Sequence, residues 1–160
     1  MEIRDAIESD FESIIHLNRI EEKQTSPMNL ERLIYLDELA SFHMVALIDK
    51  QIAGFLIALR ESTPYQNINY AWFASRYEKY FYVDRIVVSK NYSGMKVGSS
   101  LYSRLMSYAS DAGINRVVCE FNIDPPNLAS RAFHEKLGFN EVGRQYVSGE
   151  KYVSMQMYES

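Results

Sequence analysis

One segment constrains this chain more than any other. Phe81-Tyr82-Val83-Asp84-Arg85-Ile86-Val87-Val88 is dense in β-branched and aromatic residues, the composition of a strand. Val97, Leu101, Leu105 and Ala109 then recur at four-residue spacing, one stripe of a helix over residues 97–112 that Gly113 stops. A buried-type strand follows over residues 116–122. Any fold for this chain must therefore place a strand, a glycine-bearing loop and an amphipathic helix in immediate succession.

The remaining elements fit around that core. Residues 3–4 form a short edge strand. The S-x-x-E pattern from Ser9 to Glu12 is a capping box that opens a helix with Phe11, Ile14 and Ile15 inward. Ser26-Pro27 breaks the chain, and Asn29 caps a second helix carrying Leu30, Leu33, Ile34 and Leu39. Residues 43–48 and 52–59 are apolar runs split by Asp49-Lys50-Gln51, a β-hairpin. Pro125-Pro126-Asn127 stops one strand and caps a helix that ends at Gly138. Residues 141–147 and 151–158 flank Ser148-Gly149-Glu150 as a closing hairpin. The order is β-α-α-β-β-β-α-β-α-β-β, and strands joined both by hairpins and through helices imply a mixed sheet in an α/β sandwich.

With 160 residues, no repeat and no linker composition, residues 1–160 read as a single domain. Apolar residues at 47% exclude disorder as the main state. No run approaches 18 uncharged apolar residues, so no membrane span is expected, and Met1-Glu2-Ile3-Arg4-Asp5 lacks a signal-peptide pattern. A net charge of −4 argues against a broad nucleic-acid surface. The single Cys119 permits no intrachain disulfide and sits in an apolar strand as a buried thiol; a cytoplasmic setting fits. The three histidines, His16, His43 and His134, form no i, i+4 pair, so no metal is expected.

Two places carry chemistry. In the loop before the 97–112 helix, Gly94 and Gly98 stand four apart at a helix mouth. There main-chain N–H groups approach an anion, the helix dipole adds about half a positive charge, and Lys96 adds a full one. The alternative is a plain strand-to-helix turn. On the later helix, Asn127, Ser130 and His134 fall within about 60° of one another at 100° per residue. They form a polar stripe, which is either functional or a solvated face with Asn127 as its cap.

The stretch from Tyr82 to Leu101, with Tyr92-Ser93-Gly94-Met95-Lys96-Val97-Gly98, resembles motif A of the GNAT superfamily of acyl-CoA-dependent N-acyltransferases. Asn127 … Ser130 … Phe133-His134-Glu135-Lys136-Leu137-Gly138-Phe139 resembles its motif B. The element order matches along the whole chain. Two departures stand out: Ser93 where Arg or Gln is common, and Lys96 where the first Gly is common. The resemblance implies a GNAT-like mixed, mostly antiparallel central sheet of six to seven strands with helices on both faces. It implies acetyl-CoA as co-substrate and no metal. Main-chain groups of Ile86, Val87 and Val88 would pair with the pantetheine arm like an added strand. N–H groups of Ser93, Gly94, Met95, Lys96, Val97, Gly98 and Ser99 would hold the pyrophosphate, with Asn127, Ser130 and His134 also contacting the cofactor. His134 stands where a Tyr often protonates the departing thiolate, and a histidine of ordinary pKa about 6.5 can donate a proton at neutral pH.

An amine of pKa near 10.4 is neutral only to roughly 10⁻³ to 10⁻⁴ at pH 7, so a proton acceptor lowers the barrier. Asp84 and Glu120 sit in apolar strands, where a carboxylate needs a partner. Each is either a structural ion pair or, as the resemblance implies, the base, with Asp84 ranked slightly first. Residues 65–82 hold eight aromatics in 18 residues. Tyr65, Tyr70, Trp72, Phe73 and Tyr82 are the expected acceptor walls, with Asn67 and Asn69 as amide contacts; the alternatives are core packing and a homodimer contact. The expected activity is acetyl transfer to a primary amine of a small molecule by direct attack. The alternatives are a protein amino terminus or lysine as acceptor, and a non-catalytic CoA sensor.

Overall fold

The structure, a computed structural model, describes residues 1–149 and 151–160. The strands are β1 (Glu2–Asp5), β2 (Phe42–Ile48), β3 (Gln51–Arg60), β4 (Phe81–Val88), β5 (Arg116–Asp124), β6 (Asn140–Val147) and β7 (Lys151–Glu159). The helices are α1 (Phe11–Ile20), α2 (Leu30–Leu39), α3 (Ile68–Ala74), α4 (Val97–Asp111) and α5 (Leu128–Leu137). The sheet has seven strands in the order β1-β2-β3-β4-β5-β7-β6. Its β1–β2, β2–β3, β5–β7 and β6–β7 pairs are antiparallel, and β4 runs parallel to β5 through Phe81↔Val117 and Tyr82↔Val118. The expected mixed, mostly antiparallel sheet is borne out. The expected final turn reaches Glu150, which lies outside the described residues. No helix among the described residues is long and apolar enough to cross a membrane.

The chain packs as two compact units, Met1–Leu59 with Val83–Tyr108, and Arg60–Tyr82 with Ala109–Ser160. In the first, Asp49 and Lys50 both adopt positive φ, 51° and 63°, making the two-residue turn that suits a twisted hairpin. Strand β3 is buried on both faces from Ala53 to Leu59, so its sequence is continuously apolar rather than alternating. The expected stripe of α4 is buried as read: Val97 and Ala109 expose 2%, Leu101 and Leu105 nothing. Gly54 makes room for it. A Cβ there would lie 2.9 Å from the Val87 carbonyl oxygen and 2.9 Å from Val97 Cγ1.

The start of α1 corrects the sequence reading. Ser9 is not the cap; residues Glu8–Asp10 form a 3-10 turn, and α1 begins at Phe11. Asp10 is the organiser instead, accepting from Ile7 N–H at 2.9 Å and from both Arg4 guanidinium nitrogens at 2.7 and 3.0 Å. Asn29 caps α2 as expected, accepting from Arg32 N–H at 2.8 Å.

In the second unit, α3 is an addition that the sequence reading left without regular structure. Asn67 nucleates it by accepting from the N–H groups of Asn69 and Tyr70, at 2.9 and 3.0 Å. Asn127 caps α5 by accepting from Ser130 N–H at 3.1 Å, and Gly138 ends it with φ 97°. Helix α3 meets β6 where Gly143 leaves space: a Cβ there would overlap the Trp72 ring. Gln145 reinforces the contact, donating to Asn69 Oδ1 at 2.8 Å.

Candidate active site

The first unit holds the strand end and loop. Ser89 N–H donates to the Ala53 carbonyl in β3 at 2.8 Å. Main-chain groups alternate sides along a strand, so the N–H and C=O of Val88, and likewise of Ile86, point to the opposite edge. After β4, Lys90–Tyr92 forms a 3-10 turn; Ser89 caps it by accepting from Asn91 N–H at 3.2 Å, and Glu21 accepts from Lys90 N–H at 3.1 Å. Two of the amides expected to face an anion are engaged within the loop. Ser93 N–H donates to Lys90 O and Met95 N–H to Tyr92 O, both at 3.2 Å. The amides of Val97, Gly98 and Ser99 form the first turn of α4, where no intrahelical acceptor exists for them.

Lys96 has φ 61° and Gly94 φ 80°. The left-handed value at 96 explains why glycine suits that position: a side chain there carries strain. Lys96 keeps the conformation and adds a cation at the helix start.

Asp84 and Arg85 form a buried ion pair, Nε to Oδ2 2.9 Å, with both side chains 4% exposed. Arg85 is held further by Asn18 Oδ1 at 3.2 Å, Ser26 O at 3.0 Å and Ser26 Oγ at 3.2 Å. The ion pair with Arg85 expected as the structural alternative for Asp84 is formed. No sequence signal near Asp84 announces Asn18 or Ser26.

The second unit holds the other carboxylate. The Tyr82 hydroxyl donates to Glu120 Oε1 at 2.7 Å. On α5 the expected stripe is internally linked. His134 Nδ1 lies 2.7 Å from Ser130 O and 3.2 Å from Ser130 Oγ. A carbonyl only accepts, so the ring proton sits on Nδ1. His134 is 4% exposed, packed against Phe121, Phe133 and Phe139. Burial lowers its pKa below the ordinary histidine value, against the Ser130 carbonyl, which raises it. The ring is therefore neutral at pH 7, with Nε2 bare of a proton.

The aromatic residues expected as acceptor walls are mostly core. Tyr65, Tyr70, Phe73 and Tyr82 are all buried. They pack edge-on and tilted against one another, Tyr70 to Tyr82 at 5.5 Å and Phe73 to Tyr82 at 5.9 Å. Tyr70 also donates to Arg60 O at 2.7 Å. Trp72 is half-buried under the Arg76 guanidinium, 3.8 Å from its ring centroid. Asn67 is engaged as the α3 cap and Asn69 by Gln145. The sequence reading did not anticipate a pocket of about 470 Å³ in this unit, framed by Phe121, Asn127, Arg131, Glu141, Arg144 and Gln156. Two ion pairs line it, Arg131–Glu135 at 3.1 Å and Arg144–Glu141 at 2.9 Å. Among the described residues no cluster of His, Cys, Asp and Glu could hold a metal ion.

Comparison with known proteins bears on this arrangement. No curated protein matches the chain. Solved structures do. The ribosomal-protein-S18-alanine N-acetyltransferase from Escherichia coli superposes with TM-score 0.73 at 16% identity, covering 99% of this chain and 92% of that one. Ard1 from Thermoplasma volcanium gives 0.77 at 18% identity, covering 99% and 96%. A GNAT-family acetyltransferase from Streptococcus pneumoniae gives 0.72 at 22% identity, covering 99% and 98%. At these identities the likeness establishes the fold. The model of the acetyltransferase (GNAT) family matches residues 2–139, nearly the whole chain, and the protein belongs to that family.

Proposed function

We propose that this acetyltransferase moves an acetyl group from acetyl-CoA to a primary amine of a small molecule, with the β4 edge and the start of α4 holding the carrier and Glu120 receiving the amine proton. The observation that carries the carrier site is the edge of β4. Val88 presents an N–H and a C=O away from β3, and the chain runs from there into the open first turn of α4. A strand edge recognises the amides of a pantetheine arm, and a helix N-terminus with Lys96 beside it suits a pyrophosphate. The donor set therefore fits CoA, which supplies the acyl group as a thioester.

Glu120 takes precedence over Asp84 as base. Asp84 is tied to a buried guanidinium, whereas Glu120 is half-buried and accepts from the neutral Tyr82 hydroxyl. In this reading His134 positions α5 rather than donating a proton, because its ring proton is committed to Ser130. A thiol of ordinary pKa near 8.5 leaves readily as its anion, so a dedicated acid adds little.

A second reading takes the α-amino group of a protein as acceptor. Two observations favour it: the fold is shared with structures described as ribosomal-protein-alanine N-acetyltransferases, and the aromatic residues expected to wall a small-molecule pocket are buried. Thiol release from acetyl-CoA with amino acids, polyamines, aminoglycosides and peptides separates the two. Turnover on free amines supports the first; turnover confined to peptides with free amino termini replaces it with the second.

A further inference from the structure

We propose that Gln24 is an internal competitor for the acyl carrier: its carboxamide occupies the amide-recognition position on Val88, so that binding of the carrier's pantetheine arm requires Gln24 to leave. The inference rests on the carrier-site reading above and concerns how that site is regulated.

The geometry is specific. Gln24 Nε2 donates to the Val88 carbonyl at 3.0 Å, and Val88 N–H donates to Gln24 Oε1 at 3.4 Å. One side-chain amide thus satisfies both outward main-chain groups of one strand residue, as the amide of an added strand would. These are the groups the Ser89–Ala53 bond leaves pointing away from β3. An exposed strand edge invites pairing, and here a carboxamide blunts it.

The competitor is carried on a braced strap between α1 and α2. Glu21, buried at 2% exposure, accepts from Gln24 Nε2 at 3.2 Å and from Lys90 N–H at 3.1 Å. Two residues beyond Gln24, Ser26 is held by the Arg85 guanidinium and by Asn18 Nδ2 at 3.0 Å. Gln24 itself is solvent-exposed. Its flanks are anchored, so the side chain can turn into solvent while the strap stays in place. The carrier's amide then replaces Gln24's carboxamide on Val88.

The test is calorimetric titration of the wild type and Gln24→Ala with CoA and with adenosine 3′,5′-bisphosphate, which lacks the pantetheine arm. Two modest hydrogen bonds removed from the competing state correspond to roughly three- to tenfold tighter CoA binding, with the nucleotide unchanged. Weaker or unchanged CoA binding by the variant overturns the proposal, as does an equal gain for both ligands. Absence of CoA binding by the wild type would instead sink the carrier site itself, and the competition with it. Side-chain amide NMR gives a second readout on the unmodified protein: CoA should shift the Gln24 carboxamide resonances and speed their exchange with solvent, and unchanged resonances contradict the displacement.

Discussion

The Tyr82 hydroxyl donates to Glu120 Oε1 at 2.7 Å, joining β4 to β5 just where the two strands run in register. Tyr82 is itself buried and fixed between Tyr70 and Phe73. The hydroxyl is therefore a rigid donor, and it stabilises the ionised carboxylate. Glu120→Gln should lower kcat by about 10²-fold or more with little change in acetyl-CoA affinity. Tyr82→Phe removes the donor that holds the carboxylate and should lower kcat about tenfold, less than the loss of the carboxylate itself. Steady-state kinetics read both, and an unchanged kcat would show that the hydroxyl only fills space.

Asp84 is expected to matter for stability more than for chemistry. Asp84→Asn leaves the Arg85 guanidinium buried without its counter-charge, at a cost of about 3–5 kcal/mol. Denaturant unfolding measures this. A variant of wild-type stability with abolished turnover would return the base role to Asp84.

Lys96 and Gly54 make opposite predictions about the backbone. Lys96 sits at φ 61°, so Lys96→Gly should raise stability by about 1 kcal/mol while removing a cation from the helix start. Gly54 has no room for a methyl group, since a Cβ would press on the Val87 carbonyl and on Val97. Gly54→Ala should cost about 1–3 kcal/mol. Thermal melts of the two variants, shifted in opposite directions, check both.

Stability should fall on mild acidification. Burial lowers the pKa of both His43 and His134, against Asp37 at the first and the Ser130 carbonyl at the second. Each histidine thus binds its proton more weakly folded than unfolded. The unfolded chain takes up more protons as pH drops below about 6.5, so the contribution is complete above that pH and declines below it. Melting temperatures from pH 7.5 to 5.5 should decrease, less steeply in His134→Phe relative to its own value at pH 7.5. A flat profile in the wild type contradicts the assignment.

The elements that sequence revealed are those whose cause is local. The α4 stripe, the Asn29 and Asn127 caps and the Gly138 stop each depend on residues a few positions apart, and each stands where spacing placed it. The aromatic run shows the limit. Its density suggested a binding wall, but edge-on packing among Tyr65, Tyr70, Phe73 and Tyr82 is a tertiary property that composition does not encode. Helix α3 was missed because its start depends on one asparagine cap within an unpatterned stretch. Gln24 lies 64 residues from Val88, and no periodicity links them. At the start of α1 the serine box competed with Asp10, whose pairing with Arg4 decided the outcome.

The central claim is that this chain transfers an acetyl group and that Glu120 receives the amine's proton. Thiol release from acetyl-CoA, measured with the amine and peptide panel on wild type and Glu120→Gln side by side, tests it most directly. The account predicts release that requires an acceptor, saturates with acetyl-CoA and drops at least a hundredfold in the variant. Acceptor-independent release, or equal rates in two equally folded proteins, would contradict it.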